Sequence, residues 1–319
     1  MKSSAAHGSE RGAGPLAELF RRRRPAILDG AMGTELARRG ADTGLPLWSA
    51  GPLESAPDAV KRIHADYIAA GADIITTDTF RTTRRTFRRA APPDRSGELT
   101  ALAVALARDA RQETGRGEVL IAGSIGPLED CYHPELVPPD PVLHEEHAEI
   151  AGRLADAGVD FILIETMGTT REAYAAAVAA GGTGLEFIVS LICRRDGALY
   201  GGEPVAEAVR RIAPLKPAAF SINCVSARFM AEPLARLRAA LSETHGAEGI
   251  PVGVYANVGL PGGESSMVDS QSMIENVEPK EYASLAAAWA RSGVALIGGC
   301  CGTRPEHIRA VARSLGRHI

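Results

Sequence analysis

Residues 161–166 read FILIET, four apolar residues followed by a glutamate and a threonine. A short, uninterrupted apolar run of this kind is typical of a parallel strand that is buried on both faces. Similar runs recur along the chain and predict eight strands in all. The predicted strands are Ala26–Gly30, Ile74–Thr79, Val119–Gly126, Phe161–Thr166, Phe187–Cys193, Ala219–Cys224, Pro251–Asn257 and Ala295–Cys301.

Signals for helix starts lie between these strands, for example Ser55, Pro57 and Asp58. Right-handed crossovers between eight parallel strands have one economical solution, a closed barrel. We therefore predict a single (β/α)8 TIM barrel over residues 26–319, preceded by a flexible polar leader at residues 1–25. An open doubly wound sheet is the alternative, but its dinucleotide-binding form needs the fingerprint G-x-G-x-x-G, which the GAMG after the first strand lacks.

The composition narrows the classes of function. The chain has 45% hydrophobic and 23% charged residues and a formal net charge of −4, values that give no general reason to bind nucleic acid or an anionic membrane. No apolar run reaches the ~18–20 residues that span a bilayer. Five cysteines are too few for a disulfide scaffold, and they predict reduced thiols in the cytoplasm. A homo-oligomer is compatible with the sequence.

The carboxyl ends of the predicted strands carry the reactive residues. Six of the eight strands end in a carboxylate or a thiol, whereas the amino ends are apolar or small. TIM barrels have their active sites at the carboxyl ends, so this asymmetry predicts a functional mouth there. Cys224, Cys300 and Cys301 end the sixth and eighth strands, which flank the seventh. Three thiolates with an open fourth position are typical of a catalytic zinc site, so we predict that these cysteines bind Zn²⁺ and are the catalytic residues.

Two acids end strands across the predicted mouth from one another. Asp29 lies at the end of the first strand and Glu165 at the end of the fourth. Two functions fit acids at these positions: general acid–base catalysis, or binding of a substrate ammonium group. Further residues near the strand ends complete the predicted substrate site: Gly30, Ala31, Asp78, Ser124 and Asn257. Cys193 is interpreted as buried filler, and the sequence assigns no chemical role to Cys131.

Six motifs resemble those of the zinc-dependent homocysteine S-methyltransferase family: ILDGAMGTE (27–35), IITTDTF (74–80), GSIGP (123–127), IET (164–166), NC (223–224) and GGCCGT (298–303). The resemblance runs from about residue 26 to residue 313 and implies a (β/α)8 barrel. It also implies that Cys224, Cys300 and Cys301 bind zinc, with a homocysteine thiolate in the fourth position. Asp29 and Glu165 would then hold the substrate amino group.

The resemblance leaves the two substrates open. Enzymes of this kind use S-methylmethionine, S-adenosylmethionine, betaine-like onium compounds or methylcobalamin. We predict one-step transfer from S-methylmethionine or S-adenosylmethionine to L-homocysteine, giving methionine. Trp48, Phe80 and Tyr132 are candidates for an aromatic cage around the donor methyl group.

Two departures from the family pattern bear on the substrates. Asp78 stands where relatives often have asparagine, and the loop over residues 128–137 is longer than usual. Loops at this face set specificity, so another thiol as acceptor is an alternative. A corrinoid or other onium donor is a second alternative. A zinc- or redox-sensing thiol protein is the non-enzymatic one.

Overall fold

The computed structural model describes residues 14–22, 24–90, 93–259 and 276–318. Within them the strands are β1 (Ala26–Ile27), β2 (Ile74–Thr76), β3 (Leu120–Ile125), β4 (Phe161–Met167), β5 (Phe187–Leu191), β6 (Ala219–Ser226), β7 (Val252–Asn257) and β8 (Leu296–Gly299). All neighbours are parallel, in the order β1-β8-β7-β6-β5-β4-β3-β2. A parallel bridge between Leu28 and Ile74 joins the two ends of the sheet. The predicted (β/α)8 barrel is therefore confirmed.

Twelve helices are described, of which α1 precedes the first strand, α12 follows the last, and the others lie between strands. They are α1 (Pro15–Phe20), α2 (Gly33–Arg38), α3 (Gly51–Ser55), α4 (Pro57–Ala69), α5 (Arg84–Ala90), α6 (Ser96–Glu113), α7 (Asp140–Ala157), α8 (Thr170–Gly182), α9 (Val205–Ile212), α10 (Ala231–Glu243), α11 (Pro279–Arg291) and α12 (Pro305–Ser314). Short 3₁₀ turns lie at Trp48–Ala50, Pro134–Leu136 and Ala213–Leu215. Across the described residues, no helix combines the length and the apolar character needed to cross a membrane.

Alternation along the strands builds two apolar cores. On β4, Phe161 and Leu163 belong to the cluster inside the barrel, while Ile162 and Ile164 belong to the layer between strands and helices. Successive side chains of a strand point to opposite faces, so a fully apolar strand can supply both cores. This double burial explains why the strands read as continuous apolar runs in the sequence.

Helix α1 corrects the predicted leader. Leu16 is fully buried and Leu19 is 4% exposed, and both pack in the cluster inside the barrel. The backbone N–H of Leu16 also donates to the Glu186 carboxylate, at 2.8 Å, just before β5 begins. The helix thus covers the amino-terminal end of the barrel interior, which would otherwise expose apolar surface to water. The prediction of a flexible leader is wrong for this helix.

The described residues also revise some boundaries. Strand β8 ends at Gly299, so Cys300 and Cys301 lie in the loop after it rather than in the strand. The loop turns at Gly302, whose φ is +80°, and a Cβ there would overlap the backbone carbonyl of Gly259. Only glycine fits this turn. Residues 1–13 and residue 23 of the predicted leader lie outside the described residues.

Candidate active site

A cavity lies at the carboxyl ends of the strands, where the sequence predicts a functional mouth. Its lining comes from the loops after β1, β2, β3 and β8 and from the ends of β4 and β6. It brings together all but one of the predicted site residues, namely Asp29, Gly30, Ala31, Asp78, Ser124, Glu165, Cys224, Cys300 and Cys301.

Three thiols form a compact group on one side of this cavity. Cys224 Sγ lies 3.0 Å from Cys300 Sγ and 3.7 Å from Cys301 Sγ. All three sulfurs lie within 4.8 Å of one another. Sulfurs bound to one tetrahedral Zn²⁺ at about 2.3 Å stand roughly 3.8 Å apart. The separation between Cys224 and Cys301 matches this value, and the separation between Cys224 and Cys300 is shorter. The three thiols are therefore close enough together for one metal ion to contact all of them.

Strands β4 and β6 each contain a bulge at a residue that lines the cavity. Cys224 on β6 has a φ of 55° and Thr166 on β4 has a φ of 63°, each where the strand register shifts. The Asn223 side chain links the bulges, because its Oδ1 accepts from the Thr166 N–H at 3.0 Å and its Nδ2 donates to Thr166 Oγ1 at 2.8 Å. Positive φ costs a non-glycine residue about 1–3 kcal/mol. The Asn223 network stabilises a local geometry that the strands alone would not adopt.

Without a cation, one thiolate and two protonated thiols are favoured over three thiolates in this group. Hydrogen bonds with Cys300 and Cys301 hold the pKa of the Cys224 thiol well below its usual range. The same contacts with Cys224 raise the pKa of Cys300 and of Cys301 well above it. A cation is needed to keep three adjacent sulfurs ionised together. This donor set is therefore suited to a thiophilic metal ion such as Zn²⁺.

The two acids predicted at the mouth are buried beside hydrogen-bond donors. Asp29 accepts from Thr76 twice, at Oδ2 from the backbone N–H (2.7 Å) and at Oδ1 from Oγ1 (2.9 Å). Burial raises the pKa of Asp29 to about 8, Thr76 opposes this rise, and the charge of Glu165 adds to it. Burial also raises the pKa of Glu165 to about 7, against a hydrogen bond from the Ser124 hydroxyl. Both carboxylates would therefore be stabilised by a cationic partner.

Comparison with known proteins decides the family. The profile of the homocysteine S-methyltransferases matches residues 26–315, which is almost the whole barrel. The chain belongs to the homocysteine S-methyltransferase family. The homocysteine S-methyltransferase of Escherichia coli is 32% identical to it, over 94% of this chain and 98% of the relative.

Further relatives of this methyltransferase extend the comparison. The crystal structure of the metallated E. coli homocysteine methyltransferase matches with a TM-score of 0.77 at 29% identity, covering 94% of this chain and 99% of that one. The selenocysteine methyltransferase of Astragalus bisulcatus is 29% identical, over 92% of this chain and 93% of the relative. Both relatives are matched over nearly their full length, so the similarity extends well beyond the cysteine motif.

Asn257 has a different position in the methyltransferase from the one predicted. It does not line the cavity, although it ends β7 between the two cysteine-bearing strands. Its Nδ2 instead donates to the backbone carbonyl of Cys224, at 2.9 Å. The amide thus contacts the bulged backbone that carries a thiol, and the substrate contact of Asn257 stays a prediction.

The predicted aromatic residues line the cavity as two separate pairs rather than as a closed cage. The rings of Trp48 and Phe80 meet edge to face at 5.9 Å between centroids. The ring of Tyr132 packs against Tyr200 at 5.2 Å, and its hydroxyl lies 3.8 Å from Cys224 Sγ. The loop that carries Tyr132 therefore reaches the thiol group.

The two remaining cysteines lie in different parts of the molecule. Cys193 is 3% exposed and belongs to the core between strands and helices, which agrees with its interpretation as filler. Cys131 lines the cavity, although it is not one of the three clustered thiols.

Thr76 and Arg81 are among the cavity residues that the sequence analysis missed. Thr76 lies inside the motif IITTDTF, but its partner Asp29 is 47 residues away in the chain. Arg81 follows the same motif and lines the cavity, and its position three residues after Asp78 is the only sequence signal for it.

Proposed function

We propose that the enzyme transfers a methyl group from a sulfonium donor to the sulfur of L-homocysteine and holds Zn²⁺ on Cys224, Cys300 and Cys301. The observation that carries this proposal is the convergence of three thiols and two buried acids in one cavity. The sulfonium class includes S-methylmethionine and S-adenosylmethionine. The product on the acceptor side is methionine.

The metal centre supplies one part of the chemistry. Bound Zn²⁺ would lower the pKa of an incoming thiol, which is otherwise near 8.5, so that the thiol reacts as its thiolate at neutral pH. The chain contributes three sulfur ligands held at the required separation by the bulge at Cys224. The hydrogen bonds of the Asn257 and Asn223 side chains stabilise that bulge.

The acid pair orients the acceptor. An amino acid ammonium group between Asp29 and Glu165 would replace the protons that burial favours on these carboxyls. The acceptor thiol releases its proton when its sulfur binds as a thiolate, so the methyl transfer that follows moves no proton and needs no general acid–base pair. Binding of the ammonium group therefore accounts better for the two acids. Because the acids and the thiols line the same cavity, an ammonium group held on the acids would keep the acceptor sulfur near the thiols.

The transfer step balances without a further reactant. The bond between the donor sulfur and its methyl carbon breaks as the bond between that carbon and the acceptor sulfur forms. The donor leaves as a neutral thioether, because the bonding pair returns to its cationic sulfur. Trp48 and Phe80 offer aromatic surface on which a cationic methyl group is stabilised.

A second acceptor class is favoured by one comparison. The relative from Astragalus bisulcatus is named as a selenocysteine methyltransferase and has almost the same identity to this chain as the E. coli enzyme structure. A selenol or another amino acid thiol would occupy the same position opposite the acid pair. This candidate shares the thiol group and the donor with the first proposal and differs only in the acceptor.

Isotope transfer tests the proposal. The purified enzyme is given homocysteine with a carbon-13 backbone together with S-methylmethionine or S-adenosylmethionine whose methyl groups carry deuterium, and methionine is analysed by mass spectrometry. We expect methionine that carries both labels from the wild type and from Cys193→Ala, the matched control. Cys301→Ser is expected to lose both activity and bound zinc. Absence of methionine that carries both labels with either donor, or full activity in Cys301→Ser, would contradict the proposal. Selenocysteine in a parallel reaction identifies the alternative acceptor.

A further inference from the structure

A tyrosine that lines the cavity has no part in the proposed chemistry. Tyr255 lies on β7, paired with Asn223 of β6 and Gly298 of β8. Its side chain is 1% exposed, lines the cavity and belongs to the apolar cluster inside the barrel, against which Cys300 also packs. The two neighbouring strands carry thiols to the mouth, with Cys224 in β6 and Cys300 directly after β8. The phenol ring of Tyr255 therefore lies next to the thiol group, on the side of the cavity that faces the barrel interior.

The hydroxyl of Tyr255 is a buried polar group without a partner. Considering only the residues that the structure describes, Tyr255 Oη forms no hydrogen bond. The Ser190 hydroxyl is near enough to lower the pKa of Tyr255, but it donates its hydrogen to Asn223 Oδ1, at 2.8 Å. Buried polar groups are normally paired, and a hydroxyl can accept two hydrogen bonds and donate one. An unpaired hydroxyl that lines a substrate cavity points to a ligand that supplies the partner.

The charges near Tyr255 decide which kind of group can be that partner. Burial raises the pKa of Tyr255 well above its usual range, and the negative charges of Glu165, Cys300 and Cys224 add to the rise. The phenol is therefore neutral, and it lies close to both an acid of the acceptor site and the thiol group. A carboxylate beside the hydroxyl would be repelled by these groups, whereas an ammonium group would be attracted. The charges thus favour a cationic partner.

The ammonium group of the proposed acceptor needs one more partner than the acid pair provides. An ammonium group on a carbon chain has three N–H donors. One hydrogen bond to Asp29 and one to Glu165 leave a third N–H, which weakens binding if it stays unpaired away from water. The Tyr255 hydroxyl can accept this N–H, because it is buried, neutral, unpaired and close to Glu165.

We propose that Tyr255 Oη accepts the third N–H of the acceptor's ammonium group and thereby makes the enzyme selective for thiols with a primary amino group. A secondary amine has a methyl group in place of one N–H, and a thiol without an amino group offers the hydroxyl no donor at all. Both kinds of acceptor should therefore bind more weakly. This inference rests on the proposed function, because it completes the acceptor site of that reaction.

Acceptor binding without a methyl donor tests the assignment, because no turnover occurs. The zinc-loaded enzyme is titrated by calorimetry with L-homocysteine, with N-methyl-L-homocysteine and with 4-mercaptobutyrate, which is homocysteine without the amino group. A hydrogen bond with a charged partner corresponds to roughly 10- to 150-fold in affinity, the equivalent of about 1.5–3 kcal/mol. The wild type is expected to bind homocysteine more tightly than the N-methyl derivative by a factor in this range.

The variants should separate the three probes. Tyr255→Phe keeps the ring and deletes the hydroxyl, so it should weaken homocysteine roughly 10- to 150-fold and leave 4-mercaptobutyrate unchanged. Homocysteine and its N-methyl derivative should then bind this variant equally. Tyr174→Phe is the matched control, because Tyr174 lies on α8 and does not line the cavity, and all three affinities should equal those of the wild type.

Three results would overturn the assignment. They are equal binding of homocysteine and its N-methyl derivative by the wild type, unchanged homocysteine affinity in Tyr255→Phe, and an equal loss of homocysteine and 4-mercaptobutyrate in that variant. The last result would mean that the hydroxyl supports the site as a whole and does not contact the ammonium group.

Two measurements keep the result separate from folding and from the metal site. Tyr255→Phe removes a hydroxyl that has no partner in the described part of the chain, so its melting temperature is expected to equal or exceed that of the wild type. Its zinc content should equal that of the wild type.

The isotope transfer assay judges the proposed function independently. Label transfer by the wild type without a loss of homocysteine affinity in Tyr255→Phe would reject the Tyr255 contact and keep the function. A loss in Tyr255→Phe that is confined to the amino thiols, without label transfer by the wild type, would reject the function and keep the contact.

Discussion

Replacing Thr76 by valine removes one defined interaction from the acceptor site. The substitution keeps the shape of the side chain and deletes Oγ1, which donates to Asp29 Oδ1 at 2.9 Å. The backbone N–H of Thr76 still donates to Oδ2, at 2.7 Å, so the carboxyl group keeps its position. The variant therefore changes the charge preference of Asp29 more than its geometry.

The size of the effect follows from the hydrogen bond that is lost. A hydrogen bond to a charged group contributes about 1.5–3 kcal/mol, which corresponds to a further rise of roughly 1–2 units in the pKa of Asp29. This pKa is already raised to about 8 by burial. If Asp29 must be ionised to hold the substrate ammonium group, the KM for homocysteine at pH 7 should rise about 10- to 100-fold. The value of kcat should change little.

The sign of the pH dependence makes the prediction specific. Below pH 8 the Asp29 carboxyl is protonated in both proteins and must release its proton when the acceptor binds. Because the pKa of Asp29 is higher in the variant, releasing this proton costs the variant more binding free energy. Above the raised pKa of the variant both carboxyls are ionised before binding, so the difference in KM should disappear. The assay is steady-state KM for homocysteine between pH 6 and pH 10 with saturating donor.

Thr82→Val is the matched control for this assay. Thr82 is a buried threonine in the loop that follows β2. Its hydroxyl accepts from the Thr100 hydroxyl at 2.8 Å, and it does not line the cavity. It should lower stability and leave the pH profile of KM unchanged. An unchanged KM in Thr76→Val, or a deficit that grows with pH, would refute the assignment of Asp29 to the ammonium group.

Three further predictions concern other parts of the molecule. Leu16→Ala should lower the free energy of unfolding in urea by about 2–5 kcal/mol without changing the kinetic constants. Leu45→Ala, at a residue that is 55% exposed, should leave the free energy of unfolding unchanged. Equal urea midpoints for Leu16→Ala and the wild type would mean that α1 is not part of the core. Asn257→Ala should weaken zinc binding about 10- to 100-fold in competition with a chromophoric chelator and leave the KM for homocysteine intact. Because burial raises the pKa of Asp78 to about 7, its contribution to stability declines as pH rises from about 4 through 7. Asp78→Asn should therefore flatten the dependence of the melting temperature on pH, and an unaltered slope would argue against burial of this acid.

Much of the barrel is predictable from local pattern. Each strand packs against two cores, with Phe161 of β4 in one and Ile162 in the other. A strand that is buried on both faces needs apolar residues at consecutive positions, which gives a continuous apolar run in the sequence. The placement of reactive residues at the carboxyl ends then predicts the cavity. Helix α1 could not be predicted in this way, because a six-residue helix is too short to show a clear periodicity of apolar residues. Its stability comes from packing against the barrel end that it covers.

The details of the site depend on contacts between residues that are distant in the chain. The bulge at Cys224 needs the Asn223 side chain to reach Thr166, 57 residues earlier, and no local signal marks it. The amide of Asn257 turns toward a neighbouring strand instead of the cavity for the same reason. Residue type predicts which groups gather at the mouth. The hydrogen bonds between strands decide which of them face the substrate.

The central claim is that three cysteines hold a zinc ion whose remaining position accepts the substrate sulfur. X-ray absorption at the zinc edge measures the number of sulfur ligands directly, at the zinc–sulfur distance of about 2.3 Å. We predict three sulfurs and one lighter ligand in the enzyme alone, and four sulfurs after homocysteine is added. Fewer than three sulfurs in the resting enzyme, or no additional sulfur with homocysteine, would contradict the account.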